Sequence, residues 1–213
     1  IGSTGSGKST LVNLIPRFFD VTEGRILVDG VDIRQMPLHE LRERIGYVPQ
    51  KGVLFSGTID SNIRYGKEAA TEAEVQRAAE IAQAWDFIEE KEDGVQSAIA
   101  QGGTNVSGGQ KQRLSIARAI AKNPEIYIFD DSFSALDYKT DVVLRRALKK
   151  ETKDATTLIV AQRISTILHA DKILVLDEGH VVGQGTHKEL LKSCDVYRQI
   201  AMSQLSEEEL ADE

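Results

Sequence analysis

Two short stretches of this chain hold the residue types that chemistry on a phosphate requires. The first nine residues, Ile1-Gly2-Ser3-Thr4-Gly5-Ser6-Gly7-Lys8-Ser9, fit the spacing G-x-x-x-x-G-K-[ST]. Glycines at 2, 5 and 7 let the backbone turn its N–H groups inward, through conformations that other residues reach less readily. Those N–H groups form an anion nest, and a helix opening near Lys8 adds the positive end of its dipole. Lys8 supplies a point charge for β- and γ-phosphates, and the Ser9 hydroxyl a ligand for Mg²⁺. A plain glycine-rich turn is the alternative. Against it, Lys8-Ser9-Thr10 runs straight into the helical pattern Leu11-Val12-Asn13-Leu14-Ile15. The second stretch, Ile126-Tyr127-Ile128-Phe129-Asp130-Asp131, is a short apolar run ending in carboxylates. It reads as a buried parallel strand that delivers Asp130 toward the metal. Together the two predict a site for a nucleoside triphosphate.

The elements that must position these residues are legible in outline. A helical pattern runs from Lys8 to about Phe19, with Pro16 marking its end. Arg25–Val28, Asp29-Gly30 and Val31–Ile33 read as a hairpin closed by an Asp-Gly turn. Pro37 opens a short helix to about Arg44, and Ile45–Val48 returns as a strand before Pro49-Gln50 breaks out. Between about Lys51 and Lys122 strand signals nearly vanish. Thr71-Glu72-Ala73-Glu74 is a capping box, followed by Val75, Ala78, Ala79 and Ala82 at helical spacing. Trp85, Phe87 and Ile88 are expected to pack this lobe, with a ligand role for Trp85 the alternative. The α/β alternation resumes with a strand at Glu125–Asp130, a helix near Val142–Glu151 and a strand at Thr156–Val160. Lys172–Asp177 and His180–Val182 form a second hairpin around Glu178-Gly179. Thr186 then caps a helix through Leu191, and a last helix ends in the acidic, solvated Glu207-Glu208-Glu209.

At 213 residues, 41% hydrophobic and 28% charged, the chain suffices for one domain with a full core, or a core and a lobe. A net charge of −7 argues against a general nucleic-acid binder. The lone Cys194 excludes an internal disulfide, fits a reducing compartment and reads as a structural thiol. His39, His169, His180 and His187 lack metal-ligand spacing, and surface or packing roles are expected for them. No apolar run approaches the ~20 residues that cross a bilayer. A phosphate loop needs a strand feeding into it, and only Ile1 remains of one. The chain is therefore expected to be a piece of a longer polypeptide.

A third stretch, Asn105-Val106-Ser107-Gly108-Gly109-Gln110, precedes a strong helix, Lys111–Ala121. Ser107 can cap it, and Gly108-Gly109 leave its first N–H groups uncovered, which makes a second anion site. With these motifs in one order, the sequence resembles the nucleotide-binding domain of ATP-binding cassette (ABC) transporters over essentially its whole length. Ser107, Gly108, Gly109 and Gln110 look like the family's signature motif, Gln50 its Q-loop glutamine, and Ser134-Ala135-Leu136-Asp137 its D-loop. The resemblance implies an α/β fold: a P-loop (RecA-like) parallel-sheet core with an inserted helical subdomain at about 52–122 and an antiparallel β portion. One such domain would fill 1–213, with its N-terminal strands, and the family's adenine-stacking aromatic, outside this sequence. It further implies ATP and Mg²⁺ as ligands. Gly2, Ser3, Thr4, Gly5, Ser6, Gly7, Lys8, Ser9, Thr10, Gln50 and Asp130 would bind ATP, with Ser9, Gln50 and Asp130 serving the metal. Cassette domains of this kind pair head to tail, so Ser107–Gln110 would face ATP held by a partner. Leu54–Ile59 is similar to exporter-type cassettes, and Ala100-Gln101-Gly102-Gly103 resembles the exporter loop that touches the transmembrane domains, with Gln101 in place of its customary glutamate.

Two positions depart from the family pattern. Its strand motif usually ends Asp-Glu, the Glu being the base that activates water; here it ends Asp130-Asp131. Aspartate is one methylene shorter, and misplacement by about 1 Å can cost ~10²-fold in rate. A shorter base that still works is the alternative. The segment Val160-Ala161-Gln162-Arg163 resembles the switch, with Gln162 where histidine is usual. Gln can donate a hydrogen bond to a γ-phosphate but cannot carry an imidazolium charge or shuttle a proton. Asp131 and Gln162 are thus the candidate catalytic pair of a weakened site beside an intact signature. The arrangement is similar to heterodimeric bacterial multidrug exporters, in which an unlike partner hydrolyses and this site mainly holds ATP. The chain would then lie at the cytoplasmic face of a membrane it does not itself cross. A fully active homodimeric exporter and a soluble cassette ATPase are the rival readings. A P-loop kinase or switch GTPase would leave Ser107–Gln110 unexplained.

Overall fold

The computed structural model describes residues 1–206, so the acidic Glu207–Glu209 lies outside the described residues. Helix α1 spans Lys8–Asn13 with Leu14 as its C-cap, short of the predicted end near Phe19, and Pro16 is already in the following turn. The first hairpin forms as predicted but shorter: β1 (Leu27–Val28) pairs antiparallel with β2 (Val31–Asp32). Its turn residues Asp29 and Gly30 both have positive φ, the geometry an Asp-Gly hairpin favours. Helix α2 (Leu38–Glu43) starts after Pro37, and β3 (Ile45–Val48) follows.

The stretch read as strand-poor is mostly helical but holds one small antiparallel pair. β4 (Gly57–Thr58) joins β5 (Ala98–Ile99) across the helices α3 (Ile59–Arg64), α4 (Glu72–Ile81) and α5 (Trp85–Glu89). Two-residue strands leave no period to read, which is why the sequence does not show them. Phe87 and Ile88 are buried as expected, whereas Trp85, first in α5, is only half-buried. Helix α6 (Gly108–Lys122) is capped by Ser107 and stopped by Asn123 at φ 51°. It is the spine of this region, with α3 and α4 packed against it.

Strand β6 (Ile126–Asp130) lies parallel to β3, with Ile45 opposite Ile126 and Val48 opposite Phe129. Tyr127, Ile128 and Phe129 are almost wholly buried, as expected of a strand covered on both faces. Helix α7 runs Tyr138–Glu151, one turn earlier than predicted, because Asp137 caps it through the Thr140 N–H at 3.0 Å. Strand β7 (Thr156–Val160) stands beside β6 in a three-stranded order β3-β6-β7. After the short α8 (Ile164–Ile167), β8 (Ile173–Asp177) and β9 (His180–Gly185) form the second hairpin. Thr186 caps α9 (His187–Ser193), and α10 (Asp195–Gln204) ends the described chain.

The chain divides into two compact units. One comprises Ile1–Ile26 with the chain from Ile159 on, and the other Leu27–Leu158. The first has its own core of Ile1, Ile164, Ile173, Val175, Leu190, Cys194 and Tyr197. Within it the stub of a strand at Ile1–Gly2 pairs parallel with β8, the Leu176 N–H donating to the Ile1 carbonyl at 2.8 Å. The second is built on Leu41, Ile59, Ile63, Ile88, Leu114, Ile116, Ile128 and Leu144, all at most 1% exposed.

Candidate functional site

In the first unit the phosphate-loop residues form one local assembly. Gly5 and Gly7 have φ of 79° and 96°, the left-handed turn that carries the chain into α1. Gly2 serves another purpose: a Cβ there would sit 2.1 Å from the Leu176 carbonyl oxygen, so the loop could not lie against β8. The Lys8 ammonium folds back over the loop, donating to the carbonyls of Gly2 at 2.8 Å and Ser3 at 2.7 Å, with the Ser6 hydroxyl at 3.4 Å. Ser9 and Thr10 are exposed in the first turn of α1. The turn of the second hairpin braces the loop from far along the chain, the Gly179 N–H donating to the Ser6 carbonyl at 3.2 Å. Nothing local in the sequence signals that contact.

These donors fit an anion. The loop offers an ammonium, two exposed hydroxyls and a left-handed backbone, and a Cβ on Gly5 would meet no atom within 4 Å. Groups of these types are what an anion nest uses. Gln162 lies in the same unit, exposed, and its carbonyl accepts from Gln204 Nε2 at 2.8 Å. Gln204 Oε1 accepts in turn from the Ile164 N–H at 2.8 Å. Gln204 therefore pins both sides of Arg163, a role invisible in the sequence because it acts from 40 residues away.

In the second unit the carboxylates gather with the predicted glutamine. Asp130 and Asp131, 6% and 8% exposed, end β6. The Tyr47 hydroxyl donates to Asp130 Oδ2 at 3.2 Å, and burial together with the Asp130 charge pushes its own pKa well up. Gln50 Nε2 donates to Asp131 Oδ2 at 3.0 Å. Asp131 has φ 49°, a left-handed conformation that Asp tolerates better than most residues. Its carbonyl accepts from the Ser134 hydroxyl at 3.0 Å, and Ser132 Oγ donates to the Val48 carbonyl at 2.8 Å. The donor set of oxygens here suits a hard cation.

The signature residues sit where α6 begins. Ser107 and Gln110 form a capping box: Gln110 N donates to Ser107 Oγ at 3.2 Å, and Ser107 N to Gln110 Oε1 at 3.1 Å. A Cβ on Gly108 would meet nothing within 4 Å, and one on Gly109 would lie 3.6 Å from the Ala135 carbonyl oxygen. Ser107 to Gln110 thus open to their surroundings at Gly108 and meet the D-loop at Gly109. Of the D-loop, Ser134 holds Asp131, Leu136 is buried, and Asp137 caps α7. Hydrogen bonds from Thr140 hold the Asp137 carboxyl below its usual pKa. Among the described residues no three His, Cys, Asp or Glu side chains gather as a metal cluster. His187 is buried against the Tyr197 hydroxyl at 2.7 Å, while His39, His169 and His180 are exposed.

Comparison with known proteins meets these motifs along the chain. A model described as ABC transporter matches residues 1–134. An uncharacterized ABC transporter ATP-binding protein of Mycobacterium tuberculosis H37Rv is 50% identical over 207 residues, covering 96% of this chain and 35% of that protein. A Staphylococcus aureus NCTC 8325 protein, named for multidrug export as an ATP-binding/permease protein, is 49% identical over 200 residues, covering 94% of this chain and 35% of that one. The structure of a bacterial Atm1-family ABC exporter with ATP bound superposes with a TM-score of 0.93 at 43% identity, over 97% of this chain and 36% of that one. The chain spans about a third of the length of these relatives.

Proposed function

This chain belongs to the ABC transporter family, and from that premise we propose that it is the ATP-binding domain of a heterodimeric exporter whose own hydrolytic site is weak. What carries the weak-site reading is Asp131. The position where the family usually has glutamate holds a shorter carboxylate, buried, left-handed, and already accepting a hydrogen bond from Gln50. A base must come within about 3 Å of the proton it takes, or act through one water. Asp131, one methylene shorter than glutamate, reaches less far toward that proton, and Gln162 cannot supply the missing cationic partner.

In this reading Lys8 neutralises the β- and γ-phosphates of ATP, and the loop N–H groups hold them. Ser9, Gln50 and Asp130 serve Mg²⁺, with Asp130 acting through water; the ion, when bound, offsets phosphate charge. Ser107 and Gly108 answer ATP held by an unlike partner, where hydrolysis mostly occurs. ATP binding closes the pair and hydrolysis reopens it. The cargo is a drug or lipid, moved by transmembrane domains that lie beyond this sequence, and the domain works at the cytoplasmic face. An exposed apolar patch in the second unit supports docking of those domains. Val53, Phe55 and Tyr65 are exposed, the two rings 4.6 Å apart, with the Arg118 guanidinium over both. The net charge of −7 gives nucleic acid no part in this.

The test is nucleotide titration of the assembled transporter with the partner's phosphate loop disabled. Mg²⁺-ATP is expected to bind at this chain's loop, and Lys8→Ala to weaken it at least tenfold, about the 1.4 kcal/mol that defines that ratio. Unchanged occupancy in Lys8→Ala would remove the assignment.

A further inference from the structure

The segment that leaves β3 is neither helix nor strand after Val48, so side-chain contacts fix its place. Gln112, 1% exposed on the second turn of α6, donates from Nε2 to the Pro49 carbonyl at 3.0 Å. Three residues on, Gly52 lies directly on the same turn. A Cβ there would be 2.7 Å from the Lys111 carbonyl carbon and oxygen. Between these two points stands Gln50, whose side chain grips Asp131 at 3.0 Å. A short strap, Pro49–Gly52, is therefore tied at both ends to the helix that the signature residues open. Its middle residue holds the strand carboxylate.

We propose that Gln112 is a positioning residue, which by fixing Pro49 on α6 sets the place from which Gln50 holds Asp131. The helix is a stiff lever for this, since Leu114 and Ile116 beyond the tie are wholly buried. Any shift of Ser107–Gln110 toward a nucleotide carries Gln112 with it, and the strap carries Gln50. The signature at one nucleotide and the carboxylate at the other are thus joined by one hydrogen bond and one close contact. A donor must face Pro49, because a carbonyl or carboxylate oxygen there would meet the Pro49 oxygen unpaired. Leaving a buried polar group unpaired costs about 1–3 kcal/mol. The inference rests on the roles given above to Gln50 and Asp131.

The assembled transporter in membranes, with the partner's phosphate loop disabled, is the test object, and single-turnover hydrolysis at this chain's own loop and Mg²⁺-ATP titration are the readouts. Gln112→Met keeps the volume and removes the donor; it is expected to lower the rate about tenfold, within the range for misplacement by under 1 Å. Gly52→Ala, which pushes the strap off the helix, should reproduce that loss and stands in if the first variant fails to assemble. In a Gln50→Ala background neither change should cost more, because both act through Gln50; a merely structural role would add its loss there too. Gln112→Glu should be poor at neutral pH and recover as the pH is lowered, when the introduced carboxyl regains a proton to donate to Pro49. An unchanged rate in Gln112→Met, losses that add to Gln50→Ala, or no acid recovery would overturn the proposal. Failure of the unaltered protein to bind Mg²⁺-ATP would instead overturn the functional reading on which it rests.

Discussion

Asp131 is the residue on which the proposed weak site turns. Its carboxylate is one methylene short, and the structure adds that the backbone beneath it is left-handed. Asp suits that conformation, whereas a longer side chain pays of order 1 kcal/mol to enter it. Asp131→Glu together with Gln162→His is therefore expected to raise single-turnover hydrolysis at this site by about tenfold or more, while lowering stability slightly. Either change alone should do little, since base and switch act as a unit. Quenched-flow measurement with the partner's loop disabled reads the rate. If the unaltered site already cleaves ATP as fast as its partner's, the weak-site reading is wrong.

At the scale of elements, α3, α4, α6, α7 and α9 start on side chains that meet backbone three residues away. Thr71 and Glu74 close such a box on α4, the Glu74 N–H donating to Thr71 Oγ1 at 3.2 Å and the Thr71 N–H to Glu74 Oε2 at 2.7 Å. Thr71→Ala is expected to cost about 1 kcal/mol of stability in denaturant unfolding. Glu74 is held down to about 2, first by Lys67 and then by the Thr71 N–H. A depressed carboxyl stabilises the fold above its unfolded value and loses that contribution as pH falls through the folded one. The advantage of the native chain over Glu74→Gln should therefore be full near about pH 6 and shrink as pH falls from about 4.5 toward about 2. An advantage that persists at the acid end would show that Lys67 does not hold this carboxylate.

For the whole molecule the question is whether its partner is a copy or a different chain. Ser107 and Asp131 separate the two, because in the proposed pair they belong to different nucleotides. Ser107→Arg places a bulky side chain beside Gly108, where the structure leaves room, and should nearly abolish steady-state ATPase activity of the transporter. Asp131→Asn should leave a substantial fraction, since the partner's base does most of the work. A homodimer holds both residues at every site, so both variants should then fail alike. Equal and near-complete losses in one membrane preparation would remove the reason to propose an unlike partner.

What the sequence determined by itself is what short spacing can encode. The loop from Gly2 to Thr10, the strand ending Asp130-Asp131, the Ser107–Gln110 cap and the boxes at Thr71 and Thr186 all lie within a few residues, where side chain and backbone meet without help. Both acidic-Gly hairpin turns were legible for the same reason. Less was visible even locally where the signal is atypical: the box at Thr58 uses Ser61 instead of Glu or Gln. The tertiary structure alone decided the contacts between distant residues, because no local period records them. It brought Gly57 to Ile99, Gly179 to Ser6, Gln204 to Gln162 and Ile164, and Gln112 and Lys111 to the strap at Pro49–Gly52. It also turned Gln50 onto Asp131, a hydrogen bond that exists only because β3 and β6 lie parallel and end side by side.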